Sequence, residues 1–357
     1  NNPDSVKVLV TEAAGEIQHI IDIGVDFDRD ENGQLDRTLE GGHSRRRIFH
    51  HKDSTGAEVT AKVRAAVLAR KNITVVDNAL LCRMKKISGG FAADILKDDV
   101  HTTVTAQFAV MATGGIGRVY DYTTNSAIAT GDGIAMAYDM GAEIRNLSLI
   151  QFHPTAYNNK ESRECFLISE SVRGEGAYLL NCNKERFMQN YDERLELAPR
   201  DVVSRSIILE SRKTNSDEFY LDIRYKGKEY LSNRFPMIYD FLKTQGIDMG
   251  EDLIPIFPCQ HYLMGGINVN TSAQTDINGL YAVGECSHTG VHGNNRLASN
   301  SLLEALVFGH RAAIDMSEKL DKNDVCEEYE FPEPVNAEPI PHGIRTEIRH
   351  IMQKSFF

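Results

Sequence analysis

Two stretches far apart in the chain end in the same way. Val110-Met111-Ala112-Thr113-Gly114-Gly115 and Gly279-Leu280-Tyr281-Ala282-Val283-Gly284-Glu285 are each a short apolar run that stops at glycine. A strand leaving into glycine brings backbone N–H groups close to whatever lies at the carboxyl edge of a sheet, which is where open α/β folds hold ligands. Residues 147–260, between the two, change character, with mixed helix and strand signals and polar stretches at 158–164 and 212–218. This order predicts one α/β domain interrupted by an inserted domain, with the chain returning to the first from about residue 261. A chain of 357 residues has room for two or three domains at roughly 100–200 residues each.

Local patterns fill in the elements. Val6, Leu9, Val10, Ala13, Ile17, Ile20 and Ile21 recur at three- and four-residue spacing between Pro3 and Gly24, predicting an amphipathic helix over 6–23. A glycine-rich basic loop follows, Glu40-Gly41-Gly42-His43-Ser44-Arg45-Arg46-Arg47, and then a second helix over 57–71. Strands are predicted at 73–76, 79–87, 91–96 and 102–112, with a hairpin turn at Gly89-Gly90. A helix rich in Gly and Ala is expected from Ser126 to Gly141, and 319–342 reads as an acidic, Pro-rich linker. The opening Asn1-Asn2-Pro3 lacks Met, and the chain stops as a helical pattern begins, so it reads as a piece of something longer.

Composition removes several functions. Lys+Arg 39 against Asp+Glu 51 gives a net charge of -12, which argues against a nucleic-acid backbone or an anionic membrane as partner. No apolar run approaches the roughly 18 residues of a membrane span, and mean hydropathy is -0.34. Cys82, Cys165, Cys182, Cys259, Cys286 and Cys326 are scattered without a C-x-x-C pair, so neither a zinc site nor a disulfide framework is expected, and a reducing cytoplasm is the expected location.

Single motifs say less than their sum. A full G-x-G-x-x-G does not occur. Pro154 biases His153 toward extended backbone. Arg200 and Arg296 each sit beside turn-forming residues, where a guanidinium can fork onto a carboxylate. Glu170 and Arg173 stand three apart and share a face on a helical turn. Taken singly, each has an ordinary reading as packing, turn or surface ion pair, and Arg45 to Arg47 read as a solvated face.

The blocks Gln151-Phe152-His153-Pro154-Thr155, Arg173-Gly174-Glu175-Gly176, Glu185-Arg186-Phe187-Met188, Ala198-Pro199-Arg200-Asp201, His261-Tyr262-Leu263-Met264-Gly265-Gly266 and Asn295-Arg296-Leu297-Ala298-Ser299-Asn300-Ser301-Leu302-Leu303-Glu304 follow in order along nearly the whole chain. Together they resemble the flavoprotein family of succinate dehydrogenase, fumarate reductase and L-aspartate oxidase. The resemblance implies an α/β fold with an α+β insertion: an incomplete, Rossmann-like FAD-binding domain, whose family relatives begin with a G-x-G-x-x-G turn absent here, interrupted by a capping domain. The implied division is 1–146 and 261–318 for FAD binding, 147–260 for the cap, and 319–357 for a linker and the start of a helical domain. Ser169 where relatives commonly carry Thr, Asn294 where they carry Ala, and Cys286 after the Gly-Glu pair are departures that keep size or polarity.

Roles follow from the resemblance. Glu40, Gln151, His153, Ser169, His261 and Arg296 are expected to bind substrate, with Arg200 delivering a proton through Glu170 and Arg173. Ala112, Thr113, Gly114, Asp132, Glu285, Ser299, Ser301 and Leu302 are expected to contact non-covalent FAD. Glu40 resembles the L-aspartate oxidase branch, since the respiratory enzymes usually carry an apolar residue there and a carboxylate can select an ammonium. The implied reaction is oxidation of L-aspartate to iminoaspartate with O2 or fumarate as acceptor, feeding quinolinate and NAD synthesis, with quinolinate synthase downstream. A soluble fumarate reductase and a flavin-free fragment remain the alternatives.

Overall fold

The computed structural model describes residues 1–321, 326–333 and 340–356. In chain order the elements are α1 (Pro3–Ile23), α2 (Thr55–Leu68), β1 (Leu80–Ile87), β2 (Gly90–Lys97), β3 (Val100–Ala106), β4 (Ala109–Met111), α3 (Asp132–Asp139), β5 (Ile144–Arg145) and β6 (Ile150–Tyr157). They continue with α4 (Glu170–Gly174), β7 (Tyr178–Leu180), α5 (Arg200–Thr214), β8 (Phe219–Asp222), α6 (Lys228–Arg234), α7 (Pro236–Thr244) and β9 (Ile254–Leu263). The last are β10 (Gly266–Asn268), β11 (Leu280–Ala282), β12 (Ser287–His288), α8 (Asn300–Lys319) and α9 (His342–Phe356).

The first helix forms where its apolar spacing predicts. Asn2 caps it by accepting from the amides of Asp4 and Ser5, Pro3 occupies its first turn, and Gly24 ends it at φ 113°. Its buried stripe splits between two cores: Leu9 packs with Val307 and Phe308 of α8, and Ile20 packs with Val25, Phe27 and Val59.

The two strand-to-glycine exits lie side by side. β4 and β11 pair in parallel, Val110 opposite Tyr281, and the amide of Val283 donates to the carbonyl of Met111 at 2.9 Å. The returning chain therefore rejoins the sheet it left. The expected single strand over 102–112 is two strands. β3 closes an antiparallel β1-β2-β3 meander and β4 turns to β11, because Phe108 between them leaves the ladder for the core under α1 and α8. The segment 73–76 is not a strand; Ile73, Val75 and Val76 are exposed, so its β-branched residues lack the half-buried pleated surface that such residues fit.

The middle region builds its own sheet, β6-β9-β8-β7, over a core that includes Leu179, Phe187, Leu221, Phe235 and Leu242. β9 runs unbroken past residue 260, so the chain passes out of this region on a continuous strand. Two irregularities in its ladder with β6 matter for the site. Gln151 faces Tyr262 and Phe152 faces Gln260, leaving His261 as the extra residue of a bulge; a second shift lies between His153 and Ala156, at Pro154. Bulges re-aim side chains, and a proline is tolerated there because it has no amide to pair. No helix of the described residues is long and apolar enough to cross a membrane.

Candidate active site

A cavity of about 880 Å³ is lined by residues from distant parts of the chain, among them Glu40, Ser169, Glu170, Arg200, His261, Arg296 and Ser299. Arg296 dominates its electrostatics. The side chain is 3% exposed, yet among the described residues no carboxylate lies within ion-pair distance of it and its Nε has no partner. Nη2 donates to His261 Nε2 at 3.0 Å, and the guanidinium lies 4.3 Å from the centre of the Tyr262 ring. Burial, then the nearby charge of Arg200, pull its pKa down to about 10. A buried cation without a counter-ion is costly, and this one faces a cavity in which an anion would be its partner.

His153 and His261 meet edge to face, ring centres 5.0 Å apart. Burial, followed by the charge of Arg200, holds both far below the ordinary histidine pKa, so both are neutral at pH 7. His153 Nδ1 accepts from the Thr155 amide at 3.2 Å, which leaves Nε2 as the protonated nitrogen, and that atom is buried without a partner. His153 does not line the cavity; it stands behind His261.

The three residues expected to handle the proton are contiguous. Glu170, 2% exposed, accepts from Arg173 Nη2 at 2.5 Å and from Arg200 Nε. Burial pushes Glu170 up, but Arg173 and Arg200 outweigh it and leave the pKa below the ordinary value. Arg173 also donates to the Glu196 carbonyl at 2.6 Å. The i,i+3 spacing read in the sequence is the α4 ion pair. Gly41 and Gly42 explain the glycine-rich loop: a side chain on Gly41 would meet the Glu170 carboxylate, and one on Gly42 would meet Leu297. The loop closes tightly on the site and leaves Glu40 8% exposed, its carboxylate accepting from Ser299 Oγ at 2.7 Å. Burial raises the Glu40 pKa, partly offset by that hydroxyl. Ser299 holds its position at φ 66°, a left-handed backbone that costs a non-glycine residue about 1–3 kcal/mol and clusters at functional sites.

Two expected substrate contacts look different in place. Gln151 spends its side chain on protein: Oε1 accepts from Arg200 Nη1 at 2.9 Å, while Nε2 donates to Asn295 Oδ1 and to the Arg296 carbonyl, each at 2.7 Å. It ties the two arginines to one frame and lies outside the cavity lining. Ser169 caps α4, its Oγ accepting from the Ser171 amide at 3.3 Å, and it lines the cavity. The sequence reading missed Thr124, whose Oγ is 2.7 Å from His261 Nδ1, and His43, whose Nε2 bonds the Ala298 carbonyl at 3.0 Å. His43 stands in the glycine-rich loop and was legible there; Thr124 carries no motif.

The residues expected to touch FAD follow the β4 and β11 edges and the start of α8. Ala112 and Thr113 are exposed beyond β4, and Gly114, at φ 73°, has open space where a side chain would stand. Asp132 opens α3, exposed, accepting from Thr130 Oγ at 2.8 Å. Glu285 packs on Gly115, accepts from the Leu263 amide at 2.9 Å, and is pushed up to about 7 by burial. Ser299, Ser301 and Leu302 line the cavity. Free backbone at a glycine exit, a buried carboxylate and a 20-residue helix beginning beside the cavity fit the ribityl and ring portion of FAD. Among the described residues no group of three or more His, Cys, Asp and Glu side chains could hold a metal ion.

Comparison with known proteins agrees with this geometry. The FAD binding domain family matches residues 1–302. An L-aspartate oxidase of Clostridium perfringens is 47% identical over 92% of this chain and 74% of its own length. One from Acinetobacter baylyi is 42% identical over 90% of this chain and 61% of its own. Among solved structures, a quinol-fumarate reductase with menaquinol superposes with a TM-score of 0.83 at 31% identity, covering 99% of this chain and 62% of that one. A Mycobacterium smegmatis Sdh1 in complex with UQ1 gives 0.76 at 30% identity, with 99% and 64% covered. The chain thus spans between about half and three quarters of the length of the curated relatives it matches. It belongs to the FAD binding domain family of flavoproteins, and within it to the L-aspartate oxidases.

Proposed function

We propose that this chain carries the substrate site of an FAD-dependent L-aspartate oxidase, which converts L-aspartate to iminoaspartate with O2 or fumarate as electron acceptor and so feeds quinolinate and NAD synthesis. Residues 1–146 and 261–318 form the flavin-holding part and 147–260 the cap, with the cavity between them. The observation that carries the reading is Glu40. It lines the cavity together with Glu170, Arg200 and Arg296; Glu170 is engaged by Arg173 and Arg200, whereas the Glu40 carboxylate accepts from the neutral Ser299 hydroxyl. A plain dicarboxylate needs the arginines alone; an amino dicarboxylate also needs an acceptor for its ammonium.

Arg296 takes one carboxylate of the substrate, replacing the missing counter-ion with a charge-assisted pair. Ser169 Oγ and His261 define the rest of that wall, and His153 Nε2–H is the unused donor behind it. Glu40 takes the ammonium, which fixes the orientation of Cα. Ala112, Thr113, Gly114, Asp132, Glu285, Ser299, Ser301 and Leu302 are the residues that would hold FAD. When bound, FAD supplies the acceptor for the two electrons that leave with the Cα hydrogen. In the fumarate direction Arg200 delivers the proton; because a guanidinium is a poor acid alone, its contact with Glu170, and that of Glu170 with Arg173, form the route that refills it.

The test is hydrogen peroxide release on adding L-aspartate to the FAD-loaded protein, with succinate and an electron-accepting dye as the competing assay. Aspartate-dependent peroxide supports the oxidase. Dye reduction by succinate with no response to aspartate supports a soluble fumarate reductase, the second reading, which the Arg200, Glu170 and Arg173 contacts also suit.

A further inference from the structure

His261 is the extra residue of a bulge in β9, so the β6 ladder does not supply all its backbone and side-chain partners. Another segment supplies them. The Thr124 amide donates to the Gln260 carbonyl at 3.0 Å, Asn125 Nδ2 donates to the His261 carbonyl at 2.9 Å, and Thr123 Oγ bonds Gln260 Oε1. Thr123 also bridges Gln260 in register. These contacts lock residues 123–125 against the bulge and bring Thr124 Oγ to 2.7 Å from His261 Nδ1.

The proton positions follow from chemistry. Arg296 Nη2 can only donate, so His261 Nε2, 3.0 Å away, is the acceptor and carries no hydrogen. A neutral imidazole then has its hydrogen on Nδ1, and that N–H donates to Thr124 Oγ. Moving the hydrogen to Nε2 would set two donors against each other beside Arg296.

We infer that Thr124 is a positioning residue for this site: its hydroxyl accepts the Nδ1–H of His261 and so holds the ring with its Nε2 lone pair toward Arg296, which aims the guanidinium at an incoming carboxylate. The inference rests on the reading of the cavity as a dicarboxylate site. Thr124 does not itself line the cavity; it acts through His261.

Nitrogen-15 spectra of the histidine-labelled protein read the ring directly, and succinate serves as a binding probe that needs no turnover. In the wild type, His261 is expected to show a protonated Nδ1 and an unprotonated Nε2; the reverse overturns the inference at once. Thr124→Val leaves the Nδ1 hydrogen buried without an acceptor, so the ring shifts, the Nδ1 and Nε2 signals move from their wild-type positions and succinate affinity falls by about tenfold or more. Thr124→Ser is expected to restore both. A valine variant that keeps the wild-type ring signals and affinity overturns the proposal. So does a ring change without an affinity change, or a serine variant that fails to recover what valine lost. Failure of the wild type to oxidise L-aspartate counts against the activity proposed above and leaves these readouts intact.

Discussion

Replacing Glu40 by glutamine isolates its charge. The amide keeps the volume and the oxygen that accepts from Ser299 Oγ at 2.7 Å, so the loop stays in place while the partner of the substrate ammonium becomes neutral. A hydrogen bond to a charged group contributes about 1.5–3 kcal/mol, which sets the loss in kcat/KM for L-aspartate at about 10- to 150-fold. Succinate has no ammonium and approaches a site with one negative charge fewer, so its affinity holds or improves. The assay is kcat/KM for L-aspartate alongside the Kd of succinate, for wild type and variant, and the ratio is expected to move at least tenfold toward succinate. The pH dependence carries a second sign. Burial raises the Glu40 pKa, so the ionised form that aspartate needs is lost as pH falls through that raised value, and the variant lacks this acid limb. Because the folded state favours the protonated form, ionisation at neutral pH costs stability, and Glu40→Gln is expected to unfold at a slightly higher temperature. A ratio that stays constant, with both substrates weakened alike, refutes the role given to Glu40.

Three further outcomes follow from the same geometry. Glu170→Gln leaves Arg173 and Arg200 buried without their carboxylate, so urea unfolding should reveal a loss of about 3–5 kcal/mol; an unchanged midpoint would mean that the triad does not hold the site. Arg296→Met removes a buried cation that has no counter-ion; succinate binding should vanish while stability rises by about 1 kcal/mol or more, and a fall in melting temperature speaks against the unpaired charge. Burial pushes Glu285 up to about 7 from an ordinary 4.5. A raised pKa gives stability that is full below 4.5 and lost as pH rises through 7, about 3 kcal/mol in all. Glu285→Gln should flatten that slope, and a variant that retains it places the titration elsewhere.

Much of the frame was legible in residues alone. The α1 spacing and its Gly24 stop, the turn at Gly89 and the two strand-to-glycine exits depend on local periodicity or on strand endings that declare themselves, whereas that the two exits pair is seen only in the fold. The break between β3 and β4 was not legible, because it arises where the chain changes partners and Phe108 joins a distant core. The site divides in the same way. Arg296, His261, Glu170 and Arg200 sit in recognisable blocks, whereas Thr124 reaches His261 across 137 positions from a stretch with no motif. Gln151 stands in a block whose resemblance implies substrate contact, and only packing reveals that its amide bonds Arg200, Asn295 and Arg296.

The central claim is that a cavity built from Arg296, His261 and Glu40 passes the electrons of an amino dicarboxylate to flavin. Anaerobic mixing of the FAD-loaded protein with L-aspartate tests it directly. Loss of the oxidised flavin absorbance with L-aspartate, and little or none with succinate, is the predicted result; bleaching by succinate with no change on adding L-aspartate contradicts it.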